Sequence, residues 1–149
     1  MAPSQSAHSA AVRPRRILLV DDSEDACASL AALLEMHGHD VQVAHDGTSA
    51  LERASGFVPD IVLLDIGLPA MSGLEVARHL RAMPQLAAII LIALTGHGGA
   101  ADRERTRDAG FDHHFTKPLD FPALIRLLSE LHHPISAAES TATGNSSTG

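Results

Sequence analysis

At 149 residues the chain is the size of one domain with a real core, and its 45% apolar content fits a globular protein. A formal net charge of -7 argues against nucleic acid as a direct partner, because binding a phosphate backbone normally needs a basic face. Cys27 is the single cysteine, which excludes an intramolecular disulfide, and no apolar run approaches a membrane span, so a reduced cytoplasmic setting without membrane insertion is expected.

The N-terminal "MAPSQSAHSAAVRPRR" lacks the apolar stretch of a signal peptide. Residues 1–14 are expected to be a disordered Ala/Ser/Pro-rich lead, and "VRPRR" a solvated basic cluster. A folded domain is expected over residues 15–133, followed by a disordered small-polar tail over 134–149. Within the domain, short apolar runs predict strands at "RILLV" (16–20), "DVQVA" (40–44), "DIVLL" (60–64), "AIILIAL" (88–94) and the weaker "HHFT" (113–116). Helical spacing fills the intervals. In "SEDACASLAALLEMHG" the residues Ala26, Leu30, Leu33 and Leu34 mark one face and Gly38 supplies a stop. "GTSALERASG", "SGLEVARHLRAM" and "GAADRERTRDAG" follow, the last charged and read as a solvated or electrostatically matched face. In "DFPALIRLLSELHH" Asp120 is the expected N-cap, Pro122 sits in the first turn, and His132 and His133 lie at the negative end of the dipole. The stripe Leu124, Leu127, Leu128 and Leu131 reads as core. Strands alternating with helices predict an α/β fold: a five-stranded parallel sheet, doubly wound by right-handed crossovers. With four Phe and no Tyr or Trp, its core rests on Leu, Ile, Val and Ala, as buried parallel strands usually do.

A parallel sheet gathers its carboxyl strand ends on one edge, where ligands collect in open α/β folds. Here those ends carry Asp21 and Asp22, then Asp65, Thr95 and Lys117. A lone Asp after a strand is an ordinary cap or turn residue, and Asp21 or Asp22 could serve the first helix in that way. Converging carboxylates repel unless one is protonated or a cation intervenes. A hard divalent ion such as Mg²⁺ resolves the conflict with oxygen ligands, and Lys117 with the Thr95 hydroxyl would meet an arriving anion, an arrangement suited to phosphoryl transfer.

"ILLVDDSED", "PDIVLLDIGLPAMSGLEVARHLR", "LIALTGHG" and "DAGFDHHFTKPLD" closely resemble the receiver domain of bacterial two-component response regulators over about residues 15–133. The resemblance implies a flavodoxin-like architecture and a signalling role in which the chain catalyses only its own phosphorylation and dephosphorylation. It implies that Asp65 accepts a phosphoryl group from a histidine kinase or a histidine phosphotransfer protein. It further implies that Asp22, Asp65 and the Gly67 backbone carbonyl hold Mg²⁺ with Asp21 assisting through water, and that Thr95 and Lys117 bind the phosphoryl oxygens. An unknown downstream protein would read the switch, and the fourth helix, fifth strand and fifth helix form a common dimer or partner surface in this family. One departure stands out. Receivers usually carry Tyr or Phe three residues before the active-site Lys as a switch coupled to the Thr, whereas this position is His114, either a functional imidazole switch or a structural residue.

Three other features remain. The ten histidines include "HGH" (37–39) and two "HH" pairs, but adjacent histidines on a strand point to opposite faces and the pairs fall on different elements, so no zinc site is expected. Cys27 is expected to pack in the first helix rather than act as a redox sensor. Rival readings are a receiver belonging to a hybrid sensor kinase, or one serving as a relay intermediate or phosphate sink, with the natural-looking start at Met1 and the short polar tail favouring a stand-alone receiver. A haloacid-dehalogenase-type phosphatase would need a second acid two residues after the nucleophile, where this chain has Gly67.

Overall fold

The computed structural model describes residues 14–96 and 99–131; the expected disordered lead through residue 13 and the tail over 134–149 lie outside the described residues, as do His132 and His133. Five strands, β1 Arg16–Val20, β2 Asp40–Ala44, β3 Ile61–Asp65, β4 Ile90–Thr95 and β5 His113–Thr116, form one parallel sheet in the order β2-β1-β3-β4-β5. Five helices alternate with them: α1 Glu24–Met36, α2 Gly47–Phe57, α3 Gly73–Ala82, α4 Ala100–Ala109 and α5 Phe121–Glu130. Alternate residues of the central strands feed two cores. Leu18, Val20, Val62 and Leu64 pack with Ala50 and Ala54 of α2, Val76 and Leu80 of α3, and Ala109 of α4. Ile17, Leu19, Ile61 and Leu63 pack with Leu34 of α1 and with Leu124 and Leu128 of α5. The expected doubly wound sheet is therefore present, and its order reverses between β1 and β3, the switch point at which such sheets bind ligands.

Helix starts are fixed by side-chain caps. Ser23, Asp46 and Ser72 accept from the backbone N–H of Ala26, Ser49 and Glu75, and Asp120 accepts from Ala123 as expected. Ser72 and Glu75 complete a reciprocal capping box at α3, beside the site described below. Strand ends shift slightly from the sequence expectation: β3 begins at Ile61, and β4 begins at Ile90 after a 3-10 turn at Pro84–Leu86. The buried stripe of α1 is also displaced. Cys27 and Leu34 are buried with Leu30 and Ala31 partly so, spacing i, i+3, i+4, i+7, whereas Ala26 is exposed and Leu33 is 39% exposed.

The expectation that "VRPRR" is a solvated cluster fails for Arg15, while Arg16 stays exposed. Arg15 is buried and donates to the Leu128 carbonyl at 3.3 Å and to the Leu131 carbonyl, placing its cation at the negative end of α5. Arg16 donates to the Phe57 carbonyl and lies over the Phe57 ring at 4.5 Å. Arg81 was also silent in the sequence. It reaches from α3 to the carbonyls of Ala87, Ile89 and Gly110 and to the Asp112 carboxylate at 2.8 Å, tying α3 to the turns around β4 and β5.

His39, just before β2, accepts the Arg15 backbone N–H at Nδ1 (3.1 Å). Burial first, then the charges of Arg15 and His37, lowers its pKa from the ordinary 6.5. The unfolded chain therefore takes up a proton that the folded chain resists. The stability due to neutral His39 is fully present above pH 6.5 and is lost as pH falls through the depressed folded value. Urea midpoints measured from pH 7.5 to 5.5 should decline with acid in the parent and decline less in His39→Gln. Identical slopes would show that His39 does not contribute.

Candidate functional site

The carboxyl edge of the sheet brings the expected acids together. Asp21 follows β1 and is 8% exposed, with its Oδ1 accepting the Ser23 N–H at 2.9 Å. Ser23, rather than Asp21 or Asp22, caps α1, so both acids are left to the edge. Asp65 closes β3, a strand buried along its whole length, and is itself 6% exposed. The Gly67 N–H donates to Asp65 Oδ1 at 2.9 Å, which fixes the carboxylate's rotation. Asp22 is exposed, and one carboxylate oxygen from each of Asp21, Asp22 and Asp65 lies within 4.8 Å of the others.

Lys117 arrives from the end of β5 and binds two of these acids. Its Nζ donates to Asp21 Oδ2 and to Asp65 Oδ2, both at 3.1 Å. Burial alone would lower the Lys117 pKa, but the hydrogen bonds and charges of Asp21 and Asp65 together outweigh it and raise the pKa above 10.5, so the ammonium is held charged. Thr95 closes β4, is buried, and its carbonyl accepts the Lys117 N–H at 2.7 Å, which locks the two strand ends together. The Lys117–Pro118 peptide is cis.

His114 lies on the α4 side of β5, beside Ala93 in register, with Nδ1 at 3.4 Å from the Thr106 hydroxyl oxygen of α4. The Thr106 hydroxyl itself donates to the Arg103 carbonyl at 2.9 Å. The other histidines of the "HGH" pair serve locally: His37 stacks edge-on against Phe121 with centroids 5.5 Å apart, and His39 has the role given above. Cys27 is buried and its thiol is pushed up to about 11, chiefly by burial, which keeps it a packing group.

Sequence reasoning missed His45. It follows β2 at the same edge and its Nδ1 is 3.0 Å from the Asp21 carbonyl. The signal was present: β2 was the one strand whose carboxyl end had been assigned no chemistry. A second unanticipated feature is an apolar groove of about 480 Å³ that opens beside Asp21 and Lys117, walled chiefly by Leu30 and Leu33 of α1 and by Leu119 and Phe121.

Three carboxylates around one ammonium carry a net negative charge, and their hard oxygen atoms suit a hard divalent cation. The donor set at the strand ends thus fits a metal ion. Among the described residues, no soft or nitrogen ligand enters this cluster.

The family profile of the response regulator receiver domain matches residues 17–129. The response regulator MprA of Mycobacterium bovis is 37% identical over 130 residues, covering 85% of this chain and 56% of that protein, so the chain spans about half the length of these mycobacterial relatives. The polar-differentiation response regulator DivK of Brucella anthropi is 33% identical over 115 residues, 77% of this chain and 94% of that one. Among solved structures, the chemotaxis protein CheY4 of Vibrio cholerae shares the fold with a TM-score of 0.76 at 24% identity, over 80% of this chain and 100% of that one. The receiver domain of the sensor histidine kinase PA1611 from Pseudomonas aeruginosa, with a magnesium ion coordinated in its active-site cleft, is 31% identical with a TM-score of 0.71, over 78% of this chain and 95% of that one. A profile match across most of the folded residues and relatives above 30% identity make this chain a member of the response regulator receiver family of two-component signalling.

Proposed function

We propose that the chain accepts a phosphoryl group on Asp65 and thereby switches the contacts it offers to a protein partner. The observation that carries this reading is the pairing of a nearly buried strand-end carboxylate with the Lys117 ammonium at 3.1 Å, beside two further carboxylates. Asp65 would form an O–P bond as the P–N bond of a phosphohistidine breaks and the imidazole departs. Its Oδ1 is oriented by Gly67, and a strand buried on both faces cannot shift to misalign it. Lys117 moves one of its hydrogen bonds from a carboxylate to the new phosphoryl oxygens, and the Thr95 hydroxyl supplies another. Asp22, Asp65 and the Gly67 carbonyl would hold Mg²⁺, with Asp21 acting through water. When bound, this ion offsets the repulsion between the acids and the incoming phosphoryl oxygens. The donor is a histidine kinase or a histidine phosphotransfer protein, and the apolar groove beside Lys117 suits the apolar flank of a helix bearing the phosphohistidine.

Acetyl phosphate with Mg²⁺ should add one phosphoryl group by intact mass, stable in acid and lost in alkali. A chain that gains no mass under these conditions would remove the reading. Asp22→Ala should weaken Mg²⁺ binding at least about tenfold, and Asp21→Ala should do so less, since a direct ligand costs more than a water-mediated one. Parent-like Mg²⁺ affinity in Asp22→Ala would make the ligand set wrong.

His114 would act as the switch with Thr95, its ring resting against Thr106 of α4. His114→Ala should leave labelling intact while reducing the change in α4 amide exchange that labelling brings. An unaltered exchange response would assign His114 to packing alone. Similarity to the receiver of a sensor histidine kinase keeps a hybrid-kinase or relay setting as the second reading. A phosphotransfer profile against the kinases and phosphotransfer proteins of the source organism separates the two by which donor reacts first.

A further inference from the structure

His45, at the carboxyl end of β2, is a side chain of the acid edge to which the phosphoryl reaction assigns no task. The sheet itself makes an opening for it. The Asp21 N–H donates to the Ala44 carbonyl at 3.2 Å, the last rung between β1 and β2. There β2 ends and Asp46 becomes the N-cap of α2, so the chain turns from strand to helix beside the Asp21 carbonyl. Side chains meet that carbonyl instead. His45 Nδ1 lies 3.0 Å from it, and Cys27 Sγ lies 3.5 Å from it. A carbonyl oxygen only accepts, so neutral His45 carries its proton on Nδ1 and donates it, while the Cys27 S–H adds a weaker second bond.

We propose that His45 is a positioning residue for the acid cluster: its Nδ1–H anchors the peptide joining Asp21 to Asp22, so that the Asp22 carboxylate meets the cation already aimed. This rests on the reading of Asp22 as a direct ligand of Mg²⁺. A peptide is planar and trans, so fixing its C=O also fixes the direction of the Asp22 N–H and the path of the chain between the two acids. Asp21 depends on this anchor least, because its carboxylate is buried and held by the Ser23 N–H at 2.9 Å and by Lys117 at 3.1 Å. Asp22 is exposed, so its aim depends on the backbone that carries it. One of its oxygens nevertheless lies within 4.8 Å of oxygens of Asp21 and Asp65. A ligand anchored in advance loses little freedom when the ion arrives, whereas an unanchored one must be ordered at that moment. His45 acts here through the backbone and not as a ligand, much as the hydrogen-bonding partners of metal ligands do in other sites.

The test uses the full ¹⁵N-labelled chain without a phosphodonor. In the metal-free protein, long-range ¹H–¹⁵N spectra should show neutral His45 as the Nδ1–H tautomer, the form that a free histidine side chain disfavours. Mg²⁺ titrations followed by backbone amide shifts should give about tenfold weaker binding in His45→Ala. His45→Phe keeps a ring without a donor and should be as weak as His45→Ala. In His45→Asn the side-chain NH₂ stands where Nδ1 does, so this variant should recover the parent affinity to within about twofold. Urea midpoints should not follow this order, which separates positioning from stability. The Nε2–H tautomer in the parent, parent-like Mg²⁺ affinity in His45→Ala, or an Asn variant as weak as the Ala variant would overturn the proposal. Asp22→Ala reads the ligand assignment separately. Weak binding there with parent-like binding in His45→Ala sinks the positioning role alone. Parent-like binding there, with the order of the His45 variants intact, sinks the ligand set and leaves the peptide anchor standing through Asp21.

Discussion

Asp65→Asn is expected to abolish the base-labile mass gained from acetyl phosphate while leaving the far-ultraviolet dichroism unchanged. The substitution is nearly isosteric, and its amide oxygen still accepts the Gly67 N–H that orients the native carboxylate. The side chain loses its charge, and a neutral amide is a far poorer nucleophile toward phosphorus than a carboxylate. Lys117 keeps its partner in Asp21 at 3.1 Å, so the ammonium remains at the site and the fold does not lose that contact. Asp21 and Asp22 are the other carboxylates of the described cluster: Asp22 is exposed, whereas Asp21 is buried, bonded to Lys117 and clamped by the Ser23 N–H much as Asp65 is by Gly67, so Asp21 is the rival acceptor that this variant tests. Labelling that persists in Asp65→Asn, located by peptide mapping on Asp21 or Asp22, would move the acceptor and overturn the assignment.

The sheet edge was legible in the sequence because a parallel α/β alternation fixes where strand ends go, whatever the details between them. Asp21, Asp22, Asp65 and Thr95 each followed a strongly apolar run, and Lys117 followed the weaker "HHFT". The phase of α1 was harder to read. Ala26, Leu30, Leu33 and Leu34 and the displaced set Cys27, Leu30, Ala31 and Leu34 both satisfy helical spacing, and the packing of α1 against the sheet decides which is buried. Leu33 then lines the groove beside Lys117, so an apparent core residue becomes part of the surface around the site. Arg15 and Arg81 could not be read, since apart from the Asp112 carboxylate their partners are distant backbone carbonyls, and carbonyls carry no residue identity. His45 could have been found by asking the same question of every strand end. The 3-10 turn that delays β4 follows from Pro84, whose missing N–H and fixed φ interrupt the approach to the strand.

Gly73→Ala is expected to destabilise the protein by about 3 kcal/mol or more and to lower labelling at Asp65. Gly73 is the first residue of α3, held by the Ser72 cap, and its N–H donates to the Ile66 carbonyl at 3.0 Å. Its φ is ordinary for a helix start, so the requirement is for space. A Cβ here would sit 2.4 Å from the Asp65 carbonyl oxygen, 2.7 Å from Ile66 Cα and 3.0 Å from the Asp65 carbonyl carbon. These are backbone atoms of a buried strand end, which cannot swing aside as a side-chain tip would. Either α3 is pushed off its start or the Asp65–Ile66 peptide is displaced, and both outcomes move the carboxylate relative to Lys117. Gly56→Ala is the matching control. It lies on the exposed face of α2 with nothing within 4 Å of its added Cβ, and should stabilise by about 0.5–1 kcal/mol through helix propensity. Urea unfolding of both variants, alongside acetyl phosphate labelling, checks the contrast. A Gly73→Ala chain as stable and as readily labelled as the parent would show that the helix start and the acceptor strand are not in the contact described.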